Sequence, residues 1–499
     1  MQCAIIVPQI DWPSGASPTV SARAAGGSES YTYTWYVDSA LSDQTSATPA
    51  FAGLSDGRHT LKLVVWDGAS SAEDEYVDAI DLHPFTVYVD SEGSNTYPYD
   101  TAAKAAHAVN DAFDAVWRSA GTLATIHIAD GTYFLSSELV LGTPCHLLGA
   151  GRDATVLSGG KLSTAYRGVS VAAAGSIIRN LTITGCTNNL GGAGIYMSAN
   201  GLVENVRLTD NQIGFGGVTL ASGGGISMSN GTVTNCLIDA NVANSSYGGM
   251  SGVGVYMSGG LLTDSEIANN WRNRNQLYGA GIYAGGGTVR RCYIHGNSNK
   301  SGGTGNDTRG MGLCLNGASA VAENCRIEGN GKQGVYLQNG KLYNALVTGH
   351  AMPSTSYAGG IDQVGGYLYN CTLTGNTSTD PARGNLMKTS GTSVNNIIYN
   401  DASGSCLVSG GTFNTNLVDV AVATGTGNLV AVASPFANQA LADYRIRSIS
   451  PAFNAGNNGV WAGFTAPLDL AGIRRILLKI VDLGCYECVG GGGTVLFLH

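Results

Sequence analysis

Five side chains that can transfer protons or bind anions recur at matching positions of a repeated strand pattern. The segments SEIANN, CYIHGN and CRIEGN carry them at the outward positions of successive strands: Glu266, Tyr293, His295, Arg326 and Glu328. Parallel strands stacked about 4.8 Å apart would gather these side chains in a patch roughly 10 Å tall. We call this set the acid–base patch.

Two chemistries suit the acid–base patch. His295 or Tyr293 as a base beside the Arg326 cation suits proton abstraction next to a carboxylate, as in a polysaccharide lyase. Glu266 and Glu328 are the nearest pair for hydrolysis by two carboxylates. A structural role is favoured over both, because the outer face of a stacked fold must be polar and opposite charges on neighbouring strands stabilise stacking.

No metal or cofactor is predicted. The patch contains no pair of aspartates and no calcium-type carboxylate cluster. Cys485 and Cys488 form one C-x-x-C, but zinc normally takes four ligands and no second Cys or His pair follows. The two cysteines are interpreted as a local disulfide or as two free thiols.

A second outward column contains four tyrosines, which we call the tyrosine column: Tyr196, Tyr256, Tyr283 and Tyr336. Tyrosine offers a flat face to a sugar and a large contact area to a protein partner. Loops or the N-terminal residues covering the tyrosines are the alternative. Trp271, Arg272 and Arg274 on a neighbouring loop are candidates for contact with an acidic glycan.

The elements that position these residues repeat from about residue 168 to residue 427. Each unit has a Gly-Gly-x-Gly segment, a short apolar strand, a glycine turn, a second strand that ends in Asn, and a variable loop. The second strands begin at Asn180, Asn205, Asn235, Asp264, Arg291, Asn324, Asn344, Asn370 and Asn396. Their irregular period predicts a solenoid with loop insertions along one edge, and the leading Asn column is expected to pair amide to amide.

The alternation within each second strand predicts which side chains face the core. The first inward position reads Val206, Cys236, Ser265, Cys292, Cys325, Ala345 and Cys371, and the second is always Leu, Ile or Val. Four cysteines therefore form a buried column, where thiols are inert.

Composition excludes several classes of protein. The net charge of −9 argues against a nucleic-acid partner, and no apolar run approaches the ~20 residues of a transmembrane segment. The 72 glycines have no three-residue period, which excludes collagen. The opening MQCAIIVPQI lacks the basic region of a signal peptide, so an extracellular location is inferred from architecture alone.

The first 122 residues have a different pattern. SYTYTWYVD alternates Tyr33, Trp35 and Val37 against threonines, which predicts a half-buried sheet within a β-sandwich over residues 1–84. DTAAKAAHAVNDAFDAVWRS, at 100–119, predicts one helix capped by Asp100 or Thr101. Within residues 85–122 this helix is expected to cover the open end of the solenoid.

Several segments resemble known families. The sandwich resembles immunoglobulin-like and PKD-like modules, which imply a spacer or a partner contact. TIHIADGTYFLSSELVL resembles the first coils of a pectin-lyase-like β-helix, whose lyases and hydrolases have their sites on an outer strand face. The coils resemble the G-G-x-I and x-x-N repeats of polymorphic autotransporter-type surface proteins, and DYRIRSISPAFNAGNNG through VDLGCYEC, at 443–488, resembles the ending that precedes a surface anchor in large bacterial β-helix proteins.

The sequence thus predicts an all-β chain: a right-handed parallel β-helix solenoid at 123–440, an N-terminal Ig-like β-sandwich, a capping helix and a C-terminal cap at 441–489. The leading interpretation is a non-catalytic extracellular surface or structural protein that binds a glycan or copies of itself. The alternative is a secreted polysaccharide lyase or glycoside hydrolase acting on an acidic polysaccharide. A glycine linker and an apolar end strand, residues 490–499, are expected to pair with a sheet edge through Val495, Leu496, Phe497 and Leu498.

Overall fold

The computed structural model describes residues 1–27, 30–119, 121–161, 166–214, 222–244, 250–272, 277–299, 308–401, 405–462, 467–477 and 479–489. Arg274 and the predicted end strand, 490–499, lie outside these residues. The chain divides into two compact units, residues 1–135 with 143–155 and residues 136–142 with 156–499. In the described part of the chain, no helix combines the length and the apolar character needed to cross a bilayer.

The first unit begins with a β-sandwich. Two antiparallel strands form one sheet, and five strands form the other, within which Asp11–Pro13 pairs in parallel with its neighbour. The strands are Gln2–Ile6 and Ser21–Ala25 in the first sheet, and Asp11–Pro13, Ser71–His83, Gly57–Trp66, Thr32–Val37 and Ala40–Leu41 in the second. Alternate side chains of Gly57–Trp66 are buried around Trp35, which is fully buried, as the alternating pattern predicts.

The predicted helix at 100–119 is shorter than expected. A 3₁₀ turn covers Ala102–Lys104 and the α-helix covers only Val109–Ala115, with no side-chain cap at Thr101. Between them the chain is extended, because the backbone of Ala106 bonds to both Tyr88 and Asp90. Tertiary pairing thus overrides helix propensity here. The remaining strands of this unit are Thr86–Val89, Ala124–Ile128, Gly131–Phe134 and Cys145–Gly149.

The second unit is a stack of coils joined by parallel strand pairing. Its longest sheet receives two strand segments from most coils. In chain order these are Thr155–Ser158, Ile177–Thr184, Leu202–Thr209, Thr232–Thr234, Leu237–Asp239, Leu261–Thr263, Glu266–Ala268, Thr288–Arg290, Tyr293–His295, Val321–Glu323, Arg326–Glu328, Lys341–Tyr343, Leu346–Thr348, Tyr367–Tyr369, Thr372–Thr374, Thr392–Val394, Ile397–Tyr399, Thr412–Asn414, Leu417–Val418 and Leu429–Val430.

A second parallel sheet, which carries the tyrosine column, takes one strand from each of eleven coils. The strands are Leu139–Leu141, Val169–Val171, Ile195–Met197, Ile226–Met228, Val255–Met257, Ile282–Ala284, Leu313–Leu315, Val335–Leu337, Ile361–Gln363, Leu386–Lys388 and Cys406–Val408.

Smaller elements complete the coils. Five strands form a third parallel sheet: Thr187–Asn188, Gln212–Ile213, Val242–Ala243, Trp271–Arg272 and Ser298–Asn299. Loop strands form three more small sheets: Met250–Ser251, Leu277–Tyr278 and Thr308–Arg309; Ala351–Met352 and Thr377–Ser378; Phe436–Asn438 and Asp443–Ile446. The 3₁₀ turns of this unit are Pro381–Arg383, Gln439–Leu441 and Asn458–Trp461. The chain is therefore an all-β protein, a right-handed parallel β-helix with an N-terminal β-sandwich and a short helix.

The predicted inward positions are confirmed. The first inward column, from Val206 to Cys371, is at most 4% exposed, and the second is fully buried. The four cysteines of the column donate to carbonyl oxygens two residues earlier at 3.1–3.3 Å. Burial raises the pKa of Cys371, so this thiol stays protonated and unreactive. Cys485 and Cys488 are free thiols.

The backbone bends between the two strand segments of each coil explain why Asn recurs at the positions that begin the second strands. Eight of its nine predicted members have φ between +48° and +58°, a conformation that Asn and Asp tolerate better than most residues. The ninth is Asn395 rather than Asn396, which occupies the next, buried position. Amide pairing within this column is partial, as in Asn205 to Asn180 at 2.9 Å.

The continuous amide ladder is instead formed by the asparagines that end the second strands. The side-chain amide of each asparagine donates to the side-chain oxygen of the asparagine in the next coil at 2.9–3.1 Å; the donors are Asn211, Asn241, Asn270 and Asn297. Asn330 continues the ladder, and His350 takes the next rung. These side chains are at most 2% exposed and also bind backbone groups of neighbouring coils. The ladder therefore satisfies the polar groups of a buried bend.

The ladder accounts for the Gly-Gly-x-Gly repeat. A Cβ atom on Gly254 would lie 2.7 Å from Nδ2 of Asn270 and 2.8 Å from the carbonyl oxygen of Gly281. Gly225 and Gly281 stand in the same relation to their own ladder asparagines. Only glycine leaves room for the amide at this position, so the repeated glycine and the ladder asparagine require each other.

The C-terminal segment runs back along the coils. The side-chain amide of Asn324 donates to the Asp469 carbonyl at 2.7 Å, and that of Asn370 donates to the Asp482 carbonyl at 2.8 Å. Arg475 and Glu487 form an ion pair of 3.1 Å that is almost completely buried. Burial raises the pKa of Glu487 to about 7. The described residues of this segment thus cover outward positions of the later coils, including Thr372, whose hydroxyl accepts from the backbone of Cys485.

Candidate functional site

The acid–base patch is a connected set of contacts between successive coils. The register of the three parallel strands places Glu266, Tyr293 and Arg326 in one outward column and His295 and Glu328 in the neighbouring outward column. His295 Nε2 lies 2.9 Å from Glu266 Oε1, and the Tyr293 hydroxyl donates to Glu328 Oε2 at 3.3 Å. Arg326 donates to the same carboxylate oxygen at 3.0 Å. The Tyr293 and His295 rings stack with centroids 4.1 Å apart.

The patch is an open surface. The exposed side-chain fraction is 26% for His295, 35% for Glu328, 48% for Glu266 and 54% for Arg326. Burial and the Glu328 carboxylate raise the pKa of Tyr293, so this phenol serves as a donor and not as a base. The Nδ1 atom of His295 has no hydrogen-bond partner among the described residues. His295 is thus the one group of the patch whose geometry suits proton transfer, with Glu266 orienting its ring.

The structure places the four tyrosines in one outward column of the second sheet, in register with Ser227, Cys314 and Asp362. Tyr196, Tyr256 and Tyr283 are half-buried, and Tyr336 is only 7% exposed. Loop residues account for the burial of Tyr336, since Tyr278 stacks on its ring with centroids 5.8 Å apart.

Three of these rings have one flat face occupied by a neighbouring side chain. Tyr256 and Tyr283 stack on each other with centroids 5.4 Å apart and an interplanar angle of 4°. The Arg167 guanidinium lies 4.4 Å from the centroid of Tyr196. These contacts leave fewer ring faces on which a ligand can stack, which raises the importance of hydrogen bonds to the tyrosine hydroxyls.

Polar groups surround Tyr336, and two of them, Arg309 and Tyr357, were not predicted from the sequence. Arg309 donates to the hydroxyls of Tyr336 and Tyr357, at 3.2 and 2.9 Å. Asp362, next in the column, is completely buried, and its Oδ2 atom has no hydrogen-bond partner among the described residues. Burial raises the pKa of Asp362 to about 6. The outward position of Asp362 can be read from the repeat, but its burial depends on loops that have no repeat.

The prediction that Arg272 contacts an acidic glycan is wrong. Trp271 and Arg272 form a short strand of the third sheet, in which Arg272 aligns with the buried Ala243. Its side chain is fully buried, and burial lowers its pKa. Arg272 therefore occupies a core position and cannot contact an external glycan, whereas Trp271 is half-buried on the outward side.

One group of metal-type ligands occurs in the described residues. Oxygen and nitrogen atoms of Asp11, Asp81 and His83 lie within 4.8 Å of one another. Asp81 already accepts from Tyr97 at 2.6 Å and from Arg58 at 3.2 Å. His83 lies 2.9 Å from Asp11 and 2.8 Å from the Ala115 carbonyl. Because these atoms are engaged and a cation is already present, we interpret the group as a hydrogen-bond network.

Comparison with known proteins identifies no family for this chain. No protein-family model matches the sequence, and no curated protein matches it. Among solved structures, ORF18 of Geobacillus virus E2 aligns at 14% identity and a TM-score of 0.31, over 69% of this chain and 59% of that protein, which is less than two thirds of its length.

Two carbohydrate-active proteins align to a similar degree. The A-module of an Azotobacter vinelandii mannuronan C-5 epimerase does so at 14% identity and a TM-score of 0.30, over 62% of this chain and 91% of the module. A PL6 family polysaccharide lyase from Pseudopedobacter saltans does so at 12% identity and a TM-score of 0.29, over 72% of this chain and 96% of the lyase. At these scores, function must be argued from the residues of this chain.

Proposed function

We propose that this chain is a non-catalytic extracellular surface or structural protein whose β-helix binds a glycan or copies of itself. The observation that carries the proposal is the pairing within the acid–base patch. Glu266 pairs with His295, and Tyr293 and Arg326 both donate to Glu328. Such pairs stabilise stacked coils, whereas a catalytic acid and base normally meet substrate in a concave site.

The tyrosine column supports a partner surface. A parallel sheet holds its side chains at fixed spacing, so a partner meets a preorganised row and little ordering is needed on binding. The Tyr283 hydroxyl already contacts the Asn316 amide. That of Tyr256 has no hydrogen-bond partner among the described residues. The Tyr256 hydroxyl is therefore the group of the column best placed to bind a glycan hydroxyl.

We expect the Tyr256→Phe variant to bind polysaccharide about two- to tenfold more weakly than the native protein. The substitution removes one hydrogen-bonding hydroxyl, worth roughly 0.5–1.5 kcal/mol, and keeps the stacked ring. Affinity electrophoresis against neutral and uronate-containing polysaccharides would measure the change. Tyr293→Phe is the matched control, since it removes a hydroxyl from the acid–base patch. Equal binding by native protein and Tyr256→Phe would contradict a role for the column.

A lyase or hydrolase acting on an acidic polysaccharide is the second candidate. The His295 contact with Glu266, together with the unpartnered Nδ1, is the observation that favours it. A carboxylate that orients a histidine ring, with the other nitrogen open to substrate, is a common arrangement for a general base. Arg326 would then neutralise a uronate.

We expect the native protein to release neither new reducing ends nor unsaturated uronate from the same polysaccharides. If it does release them, the His295→Ala and Glu328→Gln variants should lose at least tenfold in turnover, and Arg179→Ala, which removes a cation paired with Glu204 outside the patch, should leave turnover unchanged. Product formation that requires His295 would replace the non-catalytic proposal with the enzymatic one. Turnover that survives both substitutions would exclude the patch as its source.

The extracellular location belongs to the same proposal, as does a place for residues 443–488 between the last coil and a surface anchor. They rest on the resemblance of residues 443–488 to bacterial surface proteins, and the N-terminal sandwich would act as an Ig-like spacer. Self-association through Val495, Leu496, Phe497 and Leu498 is the alternative to glycan binding within this proposal.

A further inference from the structure

A cavity of about 360 Å³ lies between the bends of the long sheet and the returning C-terminal segment. Its size falls within the range of small-ligand sites, roughly 300–1,000 Å³. Arg290, Arg291, Glu323 and Asn344 contribute polar groups to its wall, and Leu468 and Trp461 contribute apolar surface. Neither the acid–base patch nor the tyrosine column lines this cavity.

The charges around the cavity are balanced. Arg290 Nε lies 2.5 Å from Glu323 Oε1, and Arg291 makes two hydrogen bonds of 2.6 Å to Asp264. The Arg291 guanidinium also holds the pKa of Asp264 below its usual range, so that carboxylate stays ionised. Each cation thus has its own anion, and the cavity has no excess positive charge to attract a carboxylate or phosphate.

One buried acceptor on the wall is unsatisfied. The side-chain amide of Asn344 donates to the Leu468 carbonyl at 2.8 Å, which leaves its oxygen turned away from that contact. Asn344 is 2% exposed, and its Oδ1 atom has no hydrogen-bond partner among the described residues. Buried acceptors are nearly always paired, so a donor from outside the chain would complete this site.

We propose that this cavity binds one neutral sugar residue of a glycan. Arginine and glutamate offer donors and acceptors side by side, as the neighbouring hydroxyls of a pyranose require. Asn344 Oδ1 would accept a hydroxyl proton, and Leu468, which is 46% exposed, offers an apolar surface for the C–H face of the ring. This pocket is a second glycan-binding site beside the tyrosine column. Only the choice of a glycan as its ligand rests on the proposed function.

The test uses the full chain and saturation-transfer NMR with glucose, galactose, mannose, N-acetylglucosamine and galacturonate. We expect at least one neutral sugar to bind at millimolar concentration. Binding should fall at least tenfold in the Arg290→Ala/Glu323→Ala double variant. The matched control is Arg179→Ala/Glu204→Ala, an ion pair of 2.6 Å in the same column of the long sheet, away from the cavity.

A second variant separates loss of the site from loss of the fold. Leu468→Ser keeps the backbone carbonyl that Asn344 binds and removes a side chain that is 46% exposed, so it should fold and still weaken binding. Binding of galacturonate alone, absence of any neutral sugar, or equal losses in the control would each overturn the proposal. Polysaccharide binding that depends on Tyr256 while no sugar enters the cavity would overturn this site and leave the proposed function standing.

Discussion

The Gly254→Ala variant is expected to lose about 3 kcal/mol or more of the free energy of unfolding. The backbone of Gly254 has an ordinary φ, so the loss comes from sterics and not from conformation. The added Cβ would meet Nδ2 of Asn270 at 2.7 Å and a backbone oxygen at 2.8 Å. Relief requires the coil to shift or the ladder amide to move, and overpacking and a broken buried hydrogen bond each cost roughly 1–3 kcal/mol.

Urea unfolding followed by circular dichroism measures this loss, and Gly142→Ala is the control. A Cβ on Gly142 meets no atom within 4 Å, so that variant should change stability by less than about 1 kcal/mol in either direction. The Gly254→Ala/Asn270→Ala double variant should lose less stability than the sum of the losses of the two single variants, because Asn270→Ala removes one of the two groups that the added Cβ meets. Similar stability of Gly254→Ala and Gly142→Ala would mean that the ladder does not require this glycine.

The repeat made the fold predictable because stacked coils impose one environment on each column. Cys236, Cys292 and Cys325 share one column, so strict alternation from a single strand was enough to place all of them inward. The same rule gave the register of His295 and Glu328. Periodicity failed where the environment was not repeated: the helix was cut short by the pairing of Ala106 with Tyr88, and Arg272 occupies a core position that its charge argues against.

The candidate sites were predictable only in part for the same reason. Sequence columns indicate which side chains are neighbours, but they carry no information on what covers them. Tyr336 and Asp362 are buried by loops, and the cavity at Arg290 and Asn344 exists only because Trp461 and residues 467–472 return to the bends. Those contacts join residues more than a hundred positions apart in the sequence, and no local pattern indicates them. The hydrogen bond from Asn344 to the Leu468 carbonyl is an example.

His350 provides the second large prediction, an acid-sensitive rung in the ladder. It is completely buried, and burial lowers its pKa to about 4 from the ordinary 6.5. Neutral imidazole fits the ladder: Nδ1 lies 2.7 Å from Asn376 Oδ1, and Nε2 lies 3.3 Å from the Asn330 amide nitrogen, which can donate to it. Protonation would place a donor on Nε2 against that amide and leave a buried charge unpaired.

The direction of the pH effect follows from the lowered pKa. Between pH 6.5 and 4 the unfolded chain binds a proton at His350 that the folded chain does not bind, so the free energy of unfolding falls as the pH falls through this window. The fall of the His350 pKa from 6.5 to about 4 corresponds to a loss of about 3 kcal/mol in the free energy of unfolding once the pH is below both values. At neutral pH the histidine is uncharged in both states, and this contribution to stability is fully present.

We expect the His350→Asn variant to lose this acid sensitivity. Asparagine donates and accepts in the same direction along the ladder as its neighbours do and does not titrate, and its smaller side chain still fits beside Gly334, whose Cβ position lies 2.7 Å from the His350 ring. Urea midpoints measured from pH 7.5 to 4 should fall less steeply for the variant than for the native protein. His295→Asn, which removes a half-exposed histidine from the same unit, is the control and should leave most of the native slope. Parallel pH profiles for the native protein and His350→Asn would mean that the ladder tolerates the imidazolium, and that acid instability, if present, arises elsewhere in the chain.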